Sequence, residues 1–112
     1  MHTILIAEDE AATRKMLSEA LRNAGYQVLA AGNGQEAISA SERHTGTIDL
    51  LVADIVMSGM GGADLYAWIK SKRPEVKVLF ISGFMSREPL EGAFLKKPFL
   101  PVEFLDKVRQ IL

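Results

Sequence analysis

The segment Asp49-Leu50-Leu51-Val52-Ala53-Asp54-Ile55-Val56-Met57-Ser58-Gly59 decides the fold. An apolar run climbs to one aspartate, Asp54, and apolar residues resume directly after it. A short, continuously apolar run suits a strand buried on both faces, as in a parallel sheet covered by helices. A carboxylate at the end of such a strand costs several kcal/mol to bury alone. Its position must be offset by groups arriving from elsewhere in the chain.

The same pattern repeats outward from this segment. Residues 3–7, Thr-Ile-Leu-Ile-Ala, read as a first strand. In the following stretch Met16, Leu17, Ala20, Leu21 and Ala24 recur at helical spacing until Gly25. Residues 26–31 form a second strand. Residues 32–44 give a loop and a short helix with Ala37, Ile38, Ala40 and Ser41 inside. Residues 50–53 form the third strand, and the glycine-rich 58–62 is a loop. Residues 63–72 form a helix with Leu65, Trp68 and Ile69 on one face, ended before Pro74. Residues 76–81 and 93–95 are the last strands. The terminal helix has Pro101 in its first turn and Val102, Leu105, Val108 and Leu112 on its core side.

Strand and helix in alternation predict an α/β fold, a five-stranded parallel sheet doubly wound by helices. Ligands of such sheets bind outside the carboxyl ends of the strands. At those ends stand Glu8-Asp9-Glu10, Asp54, Ser82-Gly83 and Lys96-Lys97-Pro98. Carboxylates, a hydroxyl and an ammonium therefore converge. Clustered carboxylates repel unless a cation or proton intervenes. A few hard oxygen donors open to water suit Mg²⁺ better than a transition metal. Asp54 is tolerable because a metal and Lys97 share its site.

The bulk numbers narrow the remainder. At 112 residues, 48% hydrophobic and 24% charged, the chain is expected to be a single domain, residues 1–112. A net charge of −1 with scattered basic residues gives no nucleic-acid footprint. The one tight basic cluster, Lys70-Ser71-Lys72-Arg73, sits at a helix end where cations suit the dipole. The absence of cysteine removes disulfides and thiol chemistry. No run reaches transmembrane length and no signal peptide is legible, so the cytoplasm is the expected location. His2 and His44 lie outside the acidic site and are expected to be solvated.

The strand ends "ILIAEDE", "LLVADIVM", "VLFISG" and "FLKKPF" (residues 4–10, 50–57, 78–83 and 94–99), in this order and spacing, resemble the receiver domain of two-component response regulators. The resemblance covers essentially the whole chain. It implies a flavodoxin-like sheet with strand order 2-1-3-4-5. It also implies that Asp54 is the phospho-accepting aspartate and that Glu8 and Asp9 are the acidic pair holding Mg²⁺. The backbone carbonyl of Val56 becomes the remaining protein ligand. Ser82 becomes the switch hydroxyl, Lys97 the conserved-type lysine before proline, and Phe94 the switch aromatic. The implied partners are a histidine kinase or histidine phosphotransfer protein and a downstream protein target, with no nucleic acid and no membrane.

The chain departs from that family in two places. The loop after Asp54 has lost its usual proline and gained Gly59, Gly61 and Gly62, which should loosen it. Between Ser82 and Lys97 the stretch is too short for a full helix and carries Pro89 and Gly92, so the family's fourth helix is expected to be missing or reduced to a turn. Phe84, Met85 and Leu90 are then free to cover the gap or face a partner. Val56 and Phe84 are apolar at the positions that, by the resemblance, border the attacking water, so slow loss of phosphate is expected. Two other classes compete: a phosphorylation-independent docking module with a relic site, and an aspartate-nucleophile phosphatase. The phosphatase reading is weakened because such enzymes place their nucleophile after the first strand. No turnover of a separate substrate is expected.

Overall fold

The computed structural model describes residues 1–83 and 92–112. The elements run β1 (Thr3–Ala7), α1 (Ala11–Asn23), β2 (Gln27–Ala31), α2 (Gly34–Arg43), β3 (Leu50–Asp54), α3 (Gly62–Lys72), β4 (Lys77–Ser82), β5 (Ala93–Lys96) and α4 (Pro101–Ile111). All strand pairs are parallel, and the order across the sheet is β2-β1-β3-β4-β5. This is the doubly wound architecture that the alternation predicts, in the flavodoxin-like strand order that the resemblance implies.

Period-two alternation along the strands splits the core in two. Leu5, Ala7, Leu51, Ala53, Val78 and Phe80 face α2 and α3, where Ala37, Leu65 and Ile69 meet them. Ile4, Ile6, Leu50, Val52, Leu79 and Ile81 face α1 and α4, where Leu17, Leu21, Phe104 and Val108 close over them. Strands β1 and β3 are buried on both sides. Their unbroken apolar runs follow directly from that burial.

The terminal helix keeps the core side read from its sequence at Leu105, Val108 and Leu112, but not at Val102. Val102 is 57% exposed, whereas Phe104 and Val108 are fully buried. Pro101 opens α4, and the N–H of Leu100 donates to Glu103 Oε1 at 2.8 Å. That start sets Phe104 and Val108, four residues apart, on the core face. Val102, two residues before Phe104, points away from it. Ala24, the last residue of the helical spacing, is exposed just beyond the end of α1. Trp68 is half-buried with the Lys72 ammonium 5.8 Å from its ring.

The expected loss of a helix between β4 and β5, and the places of Phe84, Met85 and Leu90, fall on residues 84–91, outside the described residues. Among the described residues no helix is long and apolar enough to cross a membrane.

Candidate functional site

Strand register brings the strand ends level. Ala7 pairs with Ala31 and Ala53, Asp54 with Ile81, and Ser82 with Lys96. Backbone bonds carry the ladder one residue further: Glu8 N–H donates to Ala31 O at 3.1 Å, Ile55 N–H to Ile81 O at 2.9 Å, and Lys97 N–H to Ser82 O at 2.7 Å. Glu8, Asp54 and Lys97 are thus held by sheet hydrogen bonds at one edge.

Their side chains meet. Lys97 Nζ donates to Asp54 Oδ2 at 2.8 Å and to Glu8 Oε1 at 2.5 Å. Asp54 Oδ1 accepts the Val56 N–H at 3.0 Å. Glu8 is fully buried and Asp54 is 5% exposed. Burial alone would disfavour both charges, so the shared ammonium is what offsets them. The Lys97–Pro98 peptide is cis.

Charge states follow from this packing. Loss of hydration pushes the Glu8 carboxyl from the ordinary 4.5 up to about 7; the neighbouring Asp54 charge adds to the rise and the Lys97 hydrogen bond opposes it. Burial works against the Lys97 charge, but hydrogen bonds to Asp54 and then Glu8 outweigh it and raise that ammonium above its usual range.

Glu8, Asp9 and Asp54 each present a carboxylate oxygen within 4.8 Å of the others. Asp9 is exposed while the other two are buried, which leaves the cluster open to water on one side. Glu8 Oε2 is buried with no hydrogen-bond partner among the described residues. A buried carboxylate oxygen without a donor is costly, and an all-oxygen donor set around it fits a hard divalent cation. These residues therefore fit Mg²⁺.

Ser82 is fully buried, and its Oγ also lacks a partner among the described residues. It lies two residues beyond Phe80 on β4 and so shares that face of the sheet. Phe94 pairs in register with Phe80 and packs half-buried on the same face. Val56 is 65% exposed beside Asp54. His2 is exposed and His44 half-buried; neither belongs to the acidic cluster. The N-cap of α1 is Glu10, not Glu8 or Asp9, so helix capping does not account for the acidic pair.

Two contributors escape a reading of the sequence. Gly62, read as loosening its loop, is close-packed: a Cβ there would stand 2.3 Å from Asp54 O and 2.9 Å from Asp54 C. Its N–H donates to Ile55 O at 3.0 Å. Only glycine lets α3 begin against the backbone of the strand end. Gly59 takes φ of 79°, which glycine adopts without strain. The other contributor is Arg14, whose Nη1 donates to the carbonyl of Glu8 at 2.8 Å. Its spacing from Glu8, six residues on, was visible, but nothing in the pattern distinguished it from a surface cation.

Comparison with known proteins gives the family and the fold. Residues 4–109 match the family described as the response regulator receiver domain. The receiver protein CpdR of Brucella abortus is 33% identical over 119 aligned positions, covering 100% of this chain and 98% of that protein. The sensor kinase CckA of the same organism is 34% identical over 98% of this chain, which spans only 12% of that kinase. A Thermotoga maritima cyclic di-GMP phosphodiesterase is 32% identical over 86% of this chain, and the match spans 27% of its length. Among solved structures, the receiver domain of the hybrid histidine kinase CckA superposes with a TM-score of 0.87, at 35% identity and 98% coverage of both chains. TrrA of Thermotoga maritima, determined in complex with Mg²⁺-BeF, gives 0.85 at 30% identity over the whole of both chains. A family match over residues 4–109, a full-length relative and superposition over nearly the whole chain lead to one conclusion: this chain belongs to the response regulator receiver domain family of two-component systems.

Proposed function

We propose that Asp54 accepts a phosphoryl group from a histidine kinase or histidine phosphotransfer protein in the cytoplasm, and that the phosphorylated chain signals to a downstream protein through altered contacts. The observation that carries this reading is the Asp54 carboxylate at the sheet edge, bound by Lys97 and adjoined by Glu8 and Asp9.

An oxygen of Asp54 attacks phosphorus. The new O–P bond forms as the P–N bond of a phosphohistidine donor breaks, and the electron pair leaves on the imidazole nitrogen. Lys97 lies within hydrogen-bond reach of the nucleophile and stabilises charge on the transferring group. The exposed side of the cluster at Asp9 and Val56 admits the donor. Glu8, Asp9, Asp54 and the backbone carbonyl of Val56 would hold Mg²⁺, which when bound would neutralise charge on the phosphoryl oxygens.

The phosphate then offers acceptor oxygens to the unpartnered Ser82 hydroxyl. Movement of Ser82 toward it opens room on the face shared with Phe94, and the two packings form the switch. The nucleophile ends β3 and does not stand after β1, which supports a phosphoacceptor over a phosphatase with separate substrate turnover.

The test is intact mass after incubation with acetyl phosphate and Mg²⁺, beside Asp54→Asn. A phosphate-sized gain in the wild type alone, abolished by chelation, is expected. No gain would move the reading to a docking module with a relic site. Steady turnover of a phosphomonoester would move it to a phosphatase.

A further inference from the structure

Glu8 is held at its amide, its side chain and its carbonyl, and the last of these contacts fixes the Glu8–Asp9 peptide. The Glu8 amide is bound by Ala31 O, and its Oε1 by Lys97. The carbonyl of Glu8 is bound from the other side of the chain by Arg14 Nη1 at 2.8 Å. That carbonyl lies in the peptide plane from which Asp9 departs, so fixing it fixes the direction in which Asp9 leaves β1. Asp9 itself is exposed and depends on that plane for its aim.

Arg14 is in turn well seated. Its own carbonyl accepts the hydroxyl of the buried Ser18 at 2.7 Å. Its guanidinium lies against Gly32, where a Cβ would stand 3.3 Å from Nη1 and 3.4 Å from Glu36 Oε1. Glu36 Oε1 accepts the Gly32 N–H at 2.9 Å. The turn after β2 is thereby shaped to let a half-buried cation pass over a glycine and reach the end of β1.

We infer that Arg14 is a positioning residue for the cation site, anchoring the Glu8–Asp9 peptide plane so that both carboxylates meet one ion. This rests on the reading that Glu8, Asp9 and Asp54 hold a divalent cation. Arg14 touches neither the ion nor the phosphoryl group; it acts through the backbone of the acidic pair. Groups that orient metal ligands commonly change affinity about 10–100-fold when lost.

The experiment is Mg²⁺ titration by calorimetry on wild type, Arg14→Met, Arg14→Lys, Gly32→Ala and Lys15→Met. Each is paired with the Glu8 carbonyl ¹³C shift in the metal-free protein and a urea melt to confirm folding. Arg14→Met is expected to weaken Mg²⁺ binding about tenfold, the lower end of such losses, and to move the Glu8 carbonyl shift. Lysine still offers one donor on a long stem and is expected to recover part of the loss. Gly32→Ala keeps the Arg14 charge but crowds the guanidinium, so it tests the same contact if Arg14→Met does not fold. Lys15 is exposed on the same helix and controls for loss of one positive charge. Unchanged or tighter binding by folded Arg14→Met would overturn the inference, as would equal losses in Arg14→Met and Lys15→Met. Absence of Mg²⁺ binding by the wild type would overturn the underlying cation reading, whatever the Glu8 carbonyl shift shows of the Arg14 contact.

Discussion

Glu8→Gln isolates the electrostatics of the site. Glutamine keeps the size of the buried side chain and removes its titration. An unfolded glutamate releases its proton near 4.5, whereas folded Glu8 holds it up to about 7 because burial disfavours the charge. Between those values the native state binds more protons than the unfolded chain, so this group makes stability fall as pH rises. Its stabilising share is fully present below 4.5 and lost as pH passes about 7. The gap, at about 1.4 kcal/mol per pH unit, is on the order of 3 kcal/mol. In the absence of divalent cations, the stability of Glu8→Gln relative to wild type should therefore improve by that order between about pH 4 and about pH 8. Urea unfolding in EDTA, followed by fluorescence of the single tryptophan, Trp68, measures it. Millimolar Mg²⁺ near pH 8 should restore the wild type, because the ion selects the ionised carboxylate, and leave the variant nearly unmoved. Parallel pH profiles for the two proteins would refute the reasoning, as would a gap that opens in favour of the wild type as pH rises.

Further outcomes follow from single contacts. Arg73 donates to Ser41 Oγ, Ser41 O, His44 O and Gly46 O, tying the end of α2 to the end of α3; Arg73→Ala should cost about 2 kcal/mol in urea melts while leaving phosphorylation by acetyl phosphate intact. Gly62→Ala drives a Cβ into the backbone of Asp54, and overpacking of this kind costs about 1–3 kcal/mol; both the melting temperature and the phosphorylation rate should drop. Val56 is exposed beside Asp54 and offers no polar group to a water. Val56→Asn should shorten the lifetime of the phosphorylated form several-fold, read by loss of the added mass with time.

The sequence alone determined the architecture and most of the candidate site. Unbroken apolar runs at residues 3–7 and 50–53 demand burial on both faces, and only helices on both sides of a parallel sheet supply it. Once the strands are parallel, the residues following each of them must share an edge, which is why Glu8, Asp54, Ser82 and Lys97 were legible before any coordinate. Local chemistry limited the rest. Leu105, Val108 and Leu112 were read on the core side of α4 and lie there, whereas Val102, about 120° around the helix from Val108, points outward and Phe104, nearer in angle to Val108, turns inward. A glycine looks the same in sequence whether it frees a loop or lets two backbones touch; the close approach of Gly62 to Asp54 exists only once α3 is packed against β3. The grip of Arg14 on the Glu8 carbonyl likewise depends on α1 lying across the ends of β1 and β2. Composition and period fix which residues are buried and at which edge the polar ones gather, because those depend on neighbours along the chain. Which backbone atom a side chain finally holds depends on neighbours in space, and only the folded chain supplies them.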